Sequence, residues 1–308
     1  MGFRSLISFG MVAIPIGATL AVLLGLDAHR SATGQTPLFQ DNSVSTDTYC
    51  QKAYGITPAS TGQQYTLNPN QWGWDGKEGG LCMNVTQFNN NTYPTPMTAP
   101  QFSVTWQYPQ GPETQPVHAF PNIKIDGEGS LFPAAIGTIK SIPVDVEWTY
   151  GLGTEAANTT DIPSMAAANV NTNVAIDMFL DPDMNSAQST TQSKYEIMVW
   201  LGTIGAATQP IGLAQGALAT EIVNGTTFNL YFGQNGQGQY VLTWSAATTV
   251  ENFVGDIAPL VKGVTTLGLP NSPGADNYLG YMGLGSEALW TPQEVTFDVS
   301  YLSMDVKT

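Results

Sequence analysis

Charge is scarce in this chain: Asp, Glu, Lys and Arg make up 11% of its 308 residues. Basic charge is scarcest. Lys and Arg number 9 against 24 Asp and Glu, a formal net charge of −15, and no arginine follows Arg30. A nucleic-acid binder replaces phosphate counterions with clustered Lys and Arg, so nucleic acid is excluded as a partner. The same deficit argues against docking on anionic lipid and leaves neutral polymers compatible. Histidine is limited to His29 and His118. A Ser-His-Asp triad would have to use His118, and no Gly-x-Ser-x-Gly elbow occurs. Zinc sites draw on several His or Cys ligands, and the only cysteines are Cys50 and Cys82. No Gly-rich loop ending in Lys-Ser or Lys-Thr cradles phosphate. Carboxylates are the remaining catalysts, and glycoside hydrolysis is a reaction class that needs nothing else.

What is abundant points to strands. Gly (32) and Pro (20) are plentiful, and 7 Trp, 12 Tyr and 12 Phe supply aromatic faces. Strand-like runs separated by turn signals fall at Gln101–Tyr108, Ile139–Tyr150, Asn173–Leu180, Tyr195–Leu201, Thr227–Phe232, Gln239–Ser245 and Glu294–Val306. The segment GQNGQG at 233–238 reads as a hairpin turn between two of them. One helix is expected near Val250–Lys262, where Val250, Phe253, Val254, Ile257 and Leu260 recur at helical spacing. The fold class is therefore all-β: two stacked antiparallel sheets with one short helix.

Ser5–Leu26 carries no charged residue; Arg4 precedes it, and Asp27, His29 and Arg30 follow. Two readings stay open, a signal peptide over residues 1–28 or a membrane anchor over residues 5–26. Both export the rest of the chain. Residues 29–45 read as a flexible linker and 46–308 as one domain. In an oxidising compartment Cys50 and Cys82 are a disulfide or two buried thiols; a bridge would close a loop of about 30 residues and contribute roughly 3–4 kcal/mol. Glycan acceptor motifs occur at Asn84, Asn90, Asn158 and Asn224.

Two glutamates stand out. In YEIMVWL, alternation puts Glu196, Met198 and Trp200 on one strand face and Tyr195, Ile197, Val199 and Leu201 on the other. An unpaired carboxylate inside so apolar a strand requires a solvated cleft or a partner. Asp177, in NVAIDMFL, is such a partner and can share a proton with Glu196 or tune it through like charge. Glu287 follows glycines in GLGSEALW and precedes Trp290, which fits a strand end opening onto a cleft, and equally an ordinary loop glutamate.

At these residues the chain resembles glycoside hydrolase family 12, whose members are curved β-jelly-roll endoglucanases that include xyloglucan-specific ones. YEIMVWLG followed by Pro210-Ile211-Gly212 is similar to the family's nucleophile strand, and GSE at 285–287 to its Gly-x-Glu. YTLNPNQWG, FSVTWQY, VHAFPN, IDMFL and NLYFGQNG fall in the family's order, and the two cysteines where it has an N-terminal disulfide. The resemblance spans about residues 48–306. Ala288 and Leu289 depart from the Pro and aromatic that commonly follow the second glutamate. The segments at 109–116, 151–169 and 181–193 also differ from typical members. The resemblance implies an endo-β-1,4-glucanase working by retention, with Glu196 as nucleophile, Glu287 as acid/base, and Asp177 supporting Glu196. It places Asn70, Trp72, Trp106, Met198, Trp200 and Asn235 in the substrate cleft, Trp72 and Trp200 offering ring faces to glucose. The two catalytic carboxyls are then expected about 5–5.5 Å apart. The implied partner is a β-glucan, acted on by a monomer without metal or cofactor. Two rivals are a non-catalytic glycan-binding protein on the same scaffold and a copper oxidase using His29 and His118.

Overall fold

The computed structural model describes residues 3–35, 37–39, 43–60, 62–89, 93–126 and 132–308. The chain divides into two compact units, Met1–Val44 with Phe88–Asn90, and Ser45–Gln87 with Asn91–Thr308. In the first, helix α1 (Phe3–Ala32) runs through Pro15, whose carbonyl accepts a hydrogen bond from Thr19 Oγ1. The helix extends past the leader expected at 1–28, and strand β1 begins at Val44, so the expected linker is partly regular structure. Among residues described down to their side chains, no helix is long and apolar enough to cross a membrane. The anchor reading of residues 5–26 falls partly outside that set, as does the acceptor motif at Asn90.

The strands follow in chain order: β1 (Val44–Tyr49), β2 (Tyr65–Asn68), β3 (Gly80–Phe88), β4 (Phe102–Gln107), β5 (Asn122–Ile125), β6 (Ala134–Ala135), β7 (Pro143–Leu152) and β8 (Asn171–Asp181). After them come β9 (Tyr195–Ile204), β10 (Ala219–Val223), β11 (Thr226–Gln234), β12 (Tyr240–Ala246), β13 (Asn252–Asp256), β14 (Tyr278–Gly285), β15 (Ala288–Trp290) and β16 (Val295–Met304). They form a six-stranded sheet, β1-β3-β4-β16-β7-β13, and a ten-stranded sheet whose main path is β10-β11-β12-β9-β8-β14-β5-β2.

Alternation decides which face each residue serves. The inner faces meet in one apolar core: Phe102, Val104 and Trp106 of β4 and Val144, Val146 and Trp148 of β7 from one sheet, Ile176 and Met178 of β8 and Ile197, Val199 and Leu201 of β9 from the other. The disulfide Cys50–Cys82 is present and ties the segment after β1 to β3. All the strand runs expected from periodicity form strands.

Three expectations need correction. Val250–Asp256 is not helical: Asn252–Asp256 pairs with β7, with Phe253 buried and Val254 55% exposed, the alternation of a strand. The helix there, α3 (Ala258–Gly263), starts only at Ala258 and has Pro259 in its first turn. Proline disfavours helix in the residue before it and is tolerated in the first turn. A further short helix, α2 (Ile162–Ala167), is capped by Asp161, whose side chain accepts from the Ser164 N–H. The pairing is not wholly antiparallel, because β9 and β12 run parallel. The chain leaves β9 and crosses over before the β10–β11–β12 meander returns beside it, the long connection that a parallel pair needs.

Candidate active site

The face of the ten-stranded sheet turned away from the core carries a second, smaller apolar cluster: Phe120, Ala175, Met198, Trp200 and Val241. Strand register assembles it. Glu196 lies beside Phe179 on β8 and Val241 on β12; Met198 lies beside Asp177, and Trp200 beside Ala175. On the far side of β8, Asp177 lies beside Gly283 of β14. Glu196, Asp177 and Glu287 thus converge over an apolar floor, and each is surrounded closely enough for burial to dominate its titration.

The electrostatics follow from crowding three acids together. Burial, then the charges of Glu196 and Glu287, push Asp177 far above the usual carboxylate range. Asp177 is the most enclosed, 5% exposed, so its carboxyl is the one that keeps a proton. The contact between the two carboxyls raises Asp177 and favours the ionised form of Glu196. Burial and the charge of Glu287 raise Glu196, opposed by the Asn235 amide and by Asp177. Asn235 Nδ2 donates to Glu196 Oε2 at 3.2 Å and to Gln239 Oε1 at 3.0 Å. Burial raises Glu287 to about 7, opposed by the side-chain amide of Asn173.

Glu287 stands between β14, which ends at Gly285, and β15, which begins at Ala288. Its backbone is held by side chains instead of a strand ladder. The Glu287 N–H donates to Asn173 Oδ1 at 3.0 Å, and its carbonyl accepts from Thr172 Oγ1 at 2.8 Å. Asn173 Nδ2 in turn donates to Glu287 Oε2.

Most of the residues expected here are brought together. Asp177, Glu196, Glu287, Met198, Trp200 and Asn235 share the site, although Trp200 is only 4% exposed and forms floor; its ring face is covered. Asn70, at φ 44°, turns the chain by exchanging bonds with Phe120: its carbonyl accepts from the Phe120 N–H, and its Nδ2 donates to the Phe120 carbonyl. That turn leads to Trp72, 45% exposed, which has a free ring surface. Trp106 is misplaced by the sequence reading. It lies on β4 of the opposite sheet, 1% exposed in the core, and donates from Nε1 to the Tyr150 hydroxyl at 2.8 Å. Its alternation with Phe102 and Val104 marks it as a core residue. His118 donates from Nδ1 to the Leu289 carbonyl at 2.7 Å and stacks on Tyr108 with centroids 4.8 Å apart.

Asn173, Tyr281 and Phe120 escaped the sequence reading. Asn173 stands four residues before Asp177 on the same strand, so period-two alternation already put it on the Asp177 face. Tyr281 packs edge-on against Phe179 and donates to Asn122 Oδ1 at 3.1 Å. Phe120 left no signal, because it belongs to no strand.

Three clustered carboxyls, all pushed up by burial, on an apolar, aromatic floor are the kind of machinery that the glycoside hydrolases need. Comparison with known proteins makes this specific. The profile of glycosyl hydrolase family 12 matches residues 63–307, and the chain belongs to that family. It is 29% identical over 254 residues to the xyloglucan-specific endo-beta-1,4-glucanase A of Emericella nidulans, covering 82% of this chain and 90% of that protein. It is 27% identical over 203 residues to the protein of the same name from Aspergillus aculeatus, covering 66% and 71%. Its fold matches the Trichoderma harzianum endoglucanase 3 with a TM-score of 0.65 at 24% identity, over 85% of this chain and 98% of that one. It also matches a family 12 xyloglucanase from Bacillus licheniformis with a TM-score of 0.57 at 15% identity, over 85% and 100%.

Proposed function

We propose that this protein is a retaining endo-β-1,4-glucanase whose preferred polymer is xyloglucan, with Glu196 as nucleophile and Glu287 as acid/base. The observation that carries the roles is the meeting of three acids on one sheet face, with the Asn235 amide held on Glu196 and the Asn173 amide on Glu287. Asp177 and the Asn235 amide both lower Glu196 against the effect of burial and so favour the anion that attacks the anomeric carbon. Glu287, raised to about 7, holds a proton at mildly acidic pH and delivers it to the departing glycosidic oxygen. Glu196 has then lost its charge to the glycosyl bond, and Glu287, now ionised, takes a proton from the water that releases the sugar. Asn235 keeps one Glu196 oxygen in place, and Trp72 offers an apolar face to a glucose ring.

Xyloglucan is favoured because the relatives from Emericella nidulans and Aspergillus aculeatus are xyloglucan-specific by name. The apolar leader and the disulfide support an extracellular protein, and Asn158 and Asn224 are exposed acceptors for glycan. The test is reducing-sugar release from xyloglucan and from carboxymethylcellulose at equal polymer concentration. We expect release from xyloglucan to be at least about tenfold faster, the scale of a few pocket contacts. Equal rates would reject the preference, and no release from either would reject the enzyme.

A further inference from the structure

Beneath Glu287 the apolar core is interrupted by a polar cluster that the reaction does not touch. Trp106 Nε1, on β4, donates to the Tyr150 hydroxyl, on β7, at 2.8 Å. That hydroxyl lies 2.8 Å from Ser286 Oγ and 3.2 Å from Thr172 Oγ1, both on the other sheet's side. Ser286 and Thr172 are 2.8 Å apart. All four side chains are at most 1% exposed. Hydroxyls stripped of water in a hydrophobic core cost stability unless bonded, and apolar residues of similar shape would fill the space without that cost.

Counting protons gives the cluster a direction. The indole can only donate, so the Tyr150 oxygen accepts from it and its single proton must go onward to Ser286 or Thr172. Ser286 Oγ donates to the Asn173 carbonyl at 2.6 Å, and Thr172 Oγ1 donates to the Glu287 carbonyl at 2.8 Å. The chain of donors therefore starts on the six-stranded sheet and ends on the backbones of two residues, Asn173 and Glu287. Those are the residues whose side chains bond each other above the sheet. At this point β14 has ended and β15 has not begun. Asn173 also adjoins the register shift between Val174 and Ala175 in the β8–β9 pairing. Neither ladder holds Glu287 here, and hydroxyls replace it.

We propose that Thr172, Ser286 and Tyr150 are positioning residues for the acid/base: they fix the Glu287 backbone from below through a hydroxyl chain anchored on Trp106. The inference rests on the assignment of Glu287 above. It gives a diagnostic that a purely structural role lacks. A displaced general acid hurts a poor leaving group far more than one that departs without a proton.

The experiment compares kcat/KM of Tyr150→Phe, Thr172→Val and Thr172→Ser on phenyl and 2,4-dinitrophenyl β-cellobioside. In Tyr150→Phe and Thr172→Val, the phenyl glycoside is expected to lose on the order of 10- to 100-fold and the dinitrophenyl glycoside less than about threefold. Thr172→Ser, which keeps the hydroxyl, retains the wild-type ratio. Tyr150→Phe preserves the ring stacked on Phe297, centroids 5.3 Å apart. Should it fail to fold, the Thr172 pair decides alone. Equal losses on both glycosides, or a Thr172→Ser as impaired as Thr172→Val, would overturn the proposal. A Glu287→Gln variant that lost as much on the dinitrophenyl as on the phenyl glycoside would instead indict the parent assignment.

Discussion

A single oxygen-to-nitrogen exchange tests the proposed nucleophile. Glu196→Gln keeps the size of the side chain and its place between Phe179 and Val241, while removing the anion. Turnover should fall by at least about a thousandfold, because an amide cannot replace the carboxylate in forming the proposed glycosyl bond. Binding of xyloglucan oligosaccharides, measured by calorimetry, should stay within a few-fold, since the floor and Trp72 are untouched. A variant that retains more than a tenth of wild-type activity would remove Glu196 from that role. This residue was legible in the sequence because a charge stood where period-two alternation allowed only a cleft. Asp177 was legible for the same reason. Asn173 was not, since asparagine at a strand start is unremarkable until its partner is known. Trp106 shows the converse error. An aromatic in a strand suits sugar stacking and core packing equally, and only the opposing sheet decides which.

At the scale of elements, strands with clean alternation were readable and β14 was not. Its sequence, YLGYMGLG, looks like turn material, yet the glycines are there because neighbours come too close for a side chain. A Cβ on Gly280 would stand 2.3 Å from the Ala187 backbone, and one on Gly285 would stand 2.4 Å from the Pro121 carbonyl. Gly280→Ala should therefore destabilise the fold by about 2–4 kcal/mol, as overpacking against immovable backbone does. Gly236→Ala, in the β11–β12 hairpin, meets nothing nearer than 3.9 Å and serves as the control. Urea unfolding measures both, and equal midpoints would show that β14 has room to spare. The mistaken helix at 250–262 has a related cause. Its apolar spacing fits two periods at once, and Pro259 together with pairing to β7 settles which one forms.

For the whole molecule, the three buried acids also tie stability to pH. An unfolded glutamate titrates near 4.5, whereas burial holds Glu287 near 7. Between those values the native state keeps a proton that the unfolded chain has released. The native state therefore binds more protons, and raising pH favours unfolding. Below about 4.5 both states are protonated and the contribution is complete; it is lost as pH rises through 7. Asp177 and Glu196, both raised, act in the same direction. A net charge of −15 adds self-repulsion that also grows over this range. Glu287→Gln separates the two effects, because it removes one titrating group, and its charge on the other two, while leaving the remaining surface acids in place. Wild-type Tm should fall as pH is raised from 4.5 to 8, and Glu287→Gln should fall less. The gap between the curves should open by on the order of 5 °C across the interval. Parallel curves would mean that Glu287 titrates like an exposed carboxylate. It would then be ionised at working pH and have no proton to donate, so this thermal measurement bears on the acid/base assignment without any substrate present.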